Sequence, residues 1–260
     1  MREEPLIFAV DAGNSRIKWG LHGDSGWQRQ GWVKTEDAAE LKEAWREIEA
    51  PRQIIVSNVA GEETKACLEA ALKHWGIAPQ WIHAQDFQCG VSNGYDQPEQ
   101  LGADRWAALI AARHLHKGCC LVVTIGTALT ADALSQRGEF LGGMIVPGLT
   151  LMREALAGKT AGIAPYGGML AQGGFKPFPT NTADAVYSGA LCALAGTVKR
   201  MAAQLAAASG TRPLCILSGG AAHLLLPHLN IPLRRVDNLV LEGLIRIAQE
   251  GNPNQSKKGD

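Results

Sequence analysis

The 260-residue chain is 46% apolar and 19% charged, the composition of an ordinary globular protein with a sizeable core. Its 25 basic side chains are balanced by 25 acidic ones, which excludes a global positive field able to hold a polyanion such as DNA. The apolar run in MREEPLIFAVDAG is too short for a signal segment, and no stretch reaches the roughly 20 apolar residues that span a bilayer, so a cytoplasmic protein with no nucleic-acid or membrane partner is expected.

Residues 6–11 form a buried-type apolar run that Gly13 and Asn14 break and residues 17–21 resume, which predicts a β-hairpin; residues 27–34 supply a third strand. Leu41, Ala44, Trp45 and Ile48 recur at helical spacing within 36–49, and QIIVSNV at 53–59 reads as a buried strand. A helix over 62–75, a short strand over 80–84 and an alanine- and leucine-rich helix over 99–116 follow. The run CCLVVTIGTALTADAL then repeats the opening device, an apolar strand broken by Gly126 and Thr127, which suggests two related α/β halves facing one another across a cleft. A strand over 139–146 ends at Pro147, and LTLMREALAG reads as a helix. Residues 161–179 are glycine- and proline-rich and read as a long loop of functional character. A helix of small residues over 182–208, a strand over 214–217, a helix over 239–249 and a frayed tail complete the chain.

The six cysteines show no CxxC spacing, and several lie in apolar runs, so they read as buried reduced thiols; the histidines never adopt metal-ligand spacing. Chemistry concentrates instead at the turns. In DAGNSRIKWG, Asp11 ends a buried strand, Gly13 permits a tight reversal, and the turn can aim backbone N–H groups at phosphate oxygens. Asp11 suits a hydrated Mg²⁺, and Lys18 across the turn suits a terminal phosphate; the alternative is a plain hairpin with a solvated acid. Thr127 in TIGTALTAD offers a second phosphate contact, and Gly219 and Gly220 in LSGGAAHL allow a base or sugar to approach the backbone. Neither GxxxxGK[ST] nor GxGxxG nor GxSxG occurs.

Six ordered motifs, DAGNSRIK, LGADRWAAL, TIGTALTAD, FLGGMIVPG, NTADAVYSG and SGGAAHL, resemble those of the type III pantothenate kinases, in the acetate/sugar kinase, Hsp70 and actin superfamily, over about residues 6–245. The resemblance implies an α/β fold of duplicated ribonuclease-H-like (actin/hexokinase-like) lobes with a cleft between them: 1–117 with the first phosphate loop and GADR, 118–250 with the other two loops, and a flexible tail at 251–260. It implies ATP-dependent phosphorylation of pantothenate to 4'-phosphopantothenate, the first step of coenzyme A synthesis, by a homodimer with active sites at the subunit interface.

Carried over by motif, Asp104 is the general base; Asp11, Ala12, Gly13, Asn14, Ser15, Arg16, Ile17, Lys18 and Thr127 bind ATP; Tyr95, Gly102, Ala103, Asp104, Arg105 and Thr182 bind pantothenate; and Asp11 holds Mg²⁺ through water. A primary hydroxyl attacking a γ-phosphate needs a positioned carboxylate and neutralised charge, which these groups supply. The bland alternatives are a dipole-favoured acid at a helix start for Asp104, a neighbouring salt bridge for Arg105, packing for Tyr95 and an N-cap for Thr182. The family's second motif commonly begins with aspartate, which helps hold K⁺ or NH₄⁺. This chain has Thr124 there, so weak or absent activation by either ion is expected unless Asp132 compensates. The alternative to the kinase is a non-catalytic nucleotide-binding regulator of the same fold; a sugar or acetate kinase or an exopolyphosphatase is a third reading, opposed by GADR with Tyr95 upstream.

Overall fold

A computed structural model describes residues 5–160, 163 and 172–251. The tail read at 251–260 lies outside these apart from Gly251, as does most of the loop read at 161–179. The chain forms two compact units: Met1–Lys117 with Gly138–Phe140 and Asn238–Asp260, and Gly118–Arg137 with Leu141–Asp237.

In the first unit, β1 (Ile7–Ala12), β2 (Arg16–Gly23) and β3 (Gly26–Lys34) make an antiparallel meander, as the glycine-broken apolar runs predict. β4 (Gln53–Asn58) joins β1 in parallel and β5 (Gln80–Trp81) joins β4, giving the order β3-β2-β1-β4-β5. Strand period two decides the faces. Phe8, Val10 and Ala12, with Ile17, Trp19 and Leu21 opposite, turn into an apolar core with Ile54, Val56 and Leu68, whereas Asp11, Lys18 and Ser57 share the other face. The core is aromatic: the Phe8 ring lies 5.1 Å from Trp45 and 4.8 Å from Trp75, both edge-on.

The helix expected over 36–49 is broken. A 3₁₀ stretch at Thr35–Glu40 leads into a single turn, α1 (Leu41–Ala44), with Asp37 outside helical geometry. Burial of Leu41, Trp45 and Ile48 is achieved all the same, so the core selects these side chains and overrides the helix. α2 (Glu62–Leu72) follows as expected. The helix read at 99–116 begins only at α3 (Ala103–Leu115), because Gly102 is extended at ψ 137° and Pro98–Gln100 is a separate 3₁₀ turn. The hairpin β6 (Phe87–Gln88) and β7 (Val91–Asn93), too short to show a period, pairs with Glu139 and Phe140.

In the second unit, β8 (Cys120–Ile125), β9 (Ala128–Leu134) and β10 (Glu139–Pro147, of which Glu139 and Phe140 count with the first unit), with β11 (Leu214–Ser218) and β12 (Leu233–Arg235), stand in the order β12-β11-β8-β9-β10. β9 runs antiparallel to β8, and β11 and β12 run parallel to it, so the succession of the first sheet is repeated. The fold is thus a duplicated ribonuclease-H-like one. α4 (Leu149–Lys159) follows β10. α5 (Thr182–Ser209) presents Leu191, Leu194, Val198 and Leu205 to Leu121, Val123 and Ile125, and Gly210 ends it at φ +70°. A single turn, α6 (Ala222–Leu225), follows β11.

The last helix, α7 (Leu239–Glu250), belongs to the first unit, where it packs on α3. A Cβ on Gly243 would sit 1.9 Å from the Ala107 carbonyl oxygen, so this helix crossing requires glycine. Glu250 Oε1 and Oε2 accept the Cys89 N–H at 3.1 and 3.0 Å, tying the end of α7 to the β6–β7 hairpin. All six cysteines are free, but only Cys119, Cys120 and Cys215 are buried as expected; Cys67 and Cys89 are half-buried and Cys192 is exposed.

Candidate active site

Asp11 closes β1 with Lys18 directly opposite on β2 and Ser57 opposite on β4. Burial, then the negative charge of Asp104, push its carboxyl up to about 7, while Lys18 pulls the other way. Asp104 enters from the first turn of α3. Burial raises its carboxyl too, against the backbone N–H and the charge of Arg105. That N–H donates to Asp104 Oδ1 at 2.8 Å. A Cβ on Gly102 would lie 2.6 Å from the same oxygen, so the residue before the helix leaves room for the acid. The result is two desolvated carboxylates close enough to repel, with one lysine between strands to offset them, an arrangement that costs stability and favours a cationic ligand.

The turn after Asp11 is closed on itself and held from Thr35, just beyond the end of β3. Gly13 N–H donates to the Arg16 carbonyl at 3.0 Å, Thr35 N–H to the Ser15 carbonyl at 3.2 Å, and Thr35 Oγ1 to the Gly13 carbonyl at 2.6 Å. Asn14, Ser15 and Arg16 are exposed at the tip, and the Arg16 guanidinium lies 4.3 Å over the Trp32 ring. Ala12 and Ile17, expected among the nucleotide contacts, are fully buried in the apolar core, so only their backbone is available to a ligand.

Arg105, on the next residue of α3, is 7% exposed. Its Nη1 donates to Tyr95 Oη at 2.8 Å, and its guanidinium sits 5.5 Å from the Tyr95 ring and 5.7 Å from that of Phe140. Tyr95 is fixed in turn by its N–H, which donates to Asn93 Oδ1 at 3.1 Å. Such a cation, planar and held between two rings beside Asp104, is of the type that recognises a carboxylate or hydroxyl of a small polar substrate. Asp11, Lys18, Tyr95, Gly102, Ala103, Asp104 and Arg105 therefore come together in the first unit.

Thr127 and Thr182 lie in the second unit. Thr127 tips the β8–β9 hairpin, and its carbonyl accepts the Gly148 N–H at 2.8 Å. A Cβ on Gly148 would stand 2.3 Å from the Gly126 oxygen; one on Gly219, at φ +100°, would stand 2.2 Å from the Ile125 oxygen. The second and third glycine turns are therefore packed backbone on backbone. Thr182 opens α5, but the cap is Asn181, whose Oδ1 accepts the Asp184 N–H at 2.9 Å. Hydrogen bonds from the Gly174 N–H, Lys176 and Asn181 hold the Asp184 carboxyl down at about 2. Thr182 lines an open groove of about 1120 Å³ between α4 and α5, together with Pro147, Leu151, Met152, Leu156 and Ala185. Thr124 faces Thr130 and Ser218 in register, and Asp132, 1% exposed, follows two pairs along on the same face, opposite Val122.

A family model for type III pantothenate kinase matches residues 7–204. A relative from Nitrosospira multiformis described by that name is 50% identical over 95% of this chain and 92% of its own. One from Aromatoleum aromaticum is 49% identical over 94% and 98%. The chain belongs to the type III pantothenate kinase family. Among solved structures, a candidate Baf family transcriptional activator from Campylobacter jejuni superposes with TM-score 0.62 at 20% identity, over 95% of this chain and 99% of that one. A candidate 2-dehydro-3-deoxygalactonokinase from Sinorhizobium meliloti gives 0.60 at 17%, over 95% and 99%. These two likenesses bear on the fold alone.

Three residues of this family member escape sequence reading. Thr35 braces the first turn from 22 residues downstream, Trp32 carries Arg16, and Phe140 closes the ring clamp on Arg105. A tryptophan in a largely polar edge strand is a signal for the second. For the other two, nothing short of the strand register reveals the contact.

Proposed function

We propose that the chain is an ATP-dependent pantothenate kinase, forming 4'-phosphopantothenate in the first step of coenzyme A synthesis, with Asp104 as general base. The observation that carries this reading is the pair Asp11 and Asp104, two carboxylates raised by burial beside Lys18, in a chain of this family. A base whose pKa is lifted toward neutrality takes a hydroxyl proton more effectively than an ordinary carboxylate. Asp104 accepts the proton of the attacking hydroxyl, Arg105 in its Tyr95–Phe140 clamp holds polar groups of pantothenate, and the first turn with Lys18 contacts the phosphates; the motif resemblance adds Thr182 to the pantothenate contacts and Thr127 to those of ATP.

The acid pair also fits Mg²⁺, which meets one or two carboxylates plus nucleotide phosphates rather than an all-protein cage. Among the described residues no three His, Cys, Asp or Glu side chains converge. Asp11 is the residue that would hold it, and the ion would neutralise charge on the phosphates. For the monovalent cation, Thr124 supplies a hydroxyl without charge, and the buried Asp132 is two residue pairs away. We read this site as weak, and strong saturable activation by K⁺ or NH₄⁺ would contradict that.

A homodimer is the proposed assembly, with the α4–α5 groove as its seat. Leu151 and Leu156 in its lining are 43% and 38% exposed, an apolar face that a second copy would cover. Elution of the chain as a monomer at micromolar concentration would sink this assignment. The free thiols support a cytoplasmic location; among the described residues no helix is long and apolar enough to cross a membrane. The function is tested by supplying ATP with pantothenate, glucose, acetate or polyphosphate in turn. Product from pantothenate alone is expected, and turnover of another acceptor in its place would overturn the reading.

A further inference from the structure

Ser57 lies opposite Asp11 in the register of β1 and β4, and residues opposed on neighbouring strands share a face. Its side chain is fully buried, and Oγ has no hydrogen-bond partner among the described residues. Its strand neighbours Ile54 and Val56 face the other way, into the aromatic core. A buried hydroxyl without a partner is a cost that alanine in the same place would not carry. The first turn of α3 closes over the end of this strand, since a Cβ on Gly102 would come within 3.9 Å of Val59 Cγ1. The acidic side chains that the register and this turn bring to the site are Asp11 and Asp104. The repeated sheet has the same device at the same place, with Ser218 opposite Thr124.

We propose that Ser57 is a positioning residue for Asp11, its hydroxyl being the hydrogen-bond donor that orients the Asp11 carboxylate when that carboxylate serves the divalent cation of the nucleotide. The inference rests on the reading of Asp11 given above. A donor held behind a metal-facing carboxylate fixes which oxygen is presented, and removing such a donor typically weakens metal binding about 10-fold or more. The hydroxyl is thus unsatisfied in the free protein and satisfied in the loaded one, so its removal acts in opposite directions on stability and on binding.

The test uses the full-length chain with Ser57→Ala and Asp11→Asn, reading thermal stability of the free protein and the Mg²⁺ concentration that gives half of the ATP-induced stabilisation. Free Ser57→Ala is expected to melt at or above the wild-type temperature, to need about 10-fold more Mg²⁺, and to bind ATP in EDTA as wild type does. An unchanged Mg²⁺ requirement overturns the proposal. So does a free variant that melts several degrees lower, or an equal loss of ATP binding with and without Mg²⁺. If Asp11→Asn leaves the Mg²⁺ requirement unchanged, the reading of Asp11 falls and this inference with it; if only Ser57→Ala does so, the inference alone falls.

Discussion

Asp11→Asn is expected to stabilise the free protein, and to do so only at higher pH. The folded chain raises this carboxyl from 3.8 to about 7, through burial and the charge of Asp104. A raised acid binds its proton more tightly when folded, so its contribution to stability is intact below the unfolded value near 3.8. It is lost as pH climbs through the folded value near 7. The full shift corresponds to ~4 kcal/mol, an upper figure because the group is only partly enclosed. Asparagine keeps the shape and never ionises, so it escapes the cost. At about 2–4 °C per kcal/mol for a chain of this size, Tm at pH 8 is expected to rise by roughly 5–10 °C in chelator-treated protein, with little change at pH 4. Differential scanning calorimetry at both pH values decides it. A gain of equal size at pH 4 and 8, or a loss at pH 8, would refute the electrostatic account of the acid pair.

Thr35→Val removes the 2.6 Å bond to the Gly13 carbonyl while keeping the shape. It is expected to raise KM for ATP about 5-fold, from ~1 kcal/mol for one hydrogen bond, leaving KM for pantothenate unchanged, with Thr35→Ser close to wild type. Steady-state kinetics with each substrate varied would show the split. Arg105→Lys keeps the charge but loses the planar group held between Tyr95 and Phe140. The expected effect is the reverse pattern, KM for pantothenate raised ~10-fold or more with KM for ATP little altered; equal effects on both would argue that Arg105 only supports the fold.

The sheets were legible because their signal is local. Apolar runs ending in glycine, DAGN and TIGT, mark the strands and turns, and their repetition marks the duplication. Residues 36–49 misled because helical spacing of Leu41, Trp45 and Ile48 records burial against Phe8 and Trp75, which broken turns satisfy as well as a helix does. β6, β7 and β12 are too short to carry a period. At the site, the chemical residues Asp11, Lys18, Asp104 and Arg105 stand in motifs, whereas Ser57 and Thr35 do not. Ser57 is read as an ordinary strand residue until register sets it beside Asp11, and Phe140, although it opens the FLGGMIVPG motif, shows no sign of its partner until it meets Arg105. The place of the last helix is also non-local: Gly243 meets Ala107 across more than a hundred residues of chain.

The central claim, that Asp104 takes the proton from the pantothenate hydroxyl, is tested most directly by following phosphate transfer with ³¹P NMR in wild type and Asp104→Asn. The account predicts 4'-phosphopantothenate from the wild type, with turnover by Asp104→Asn down by roughly 10²–10⁴-fold and ATP binding retained. Full turnover by the variant would contradict it.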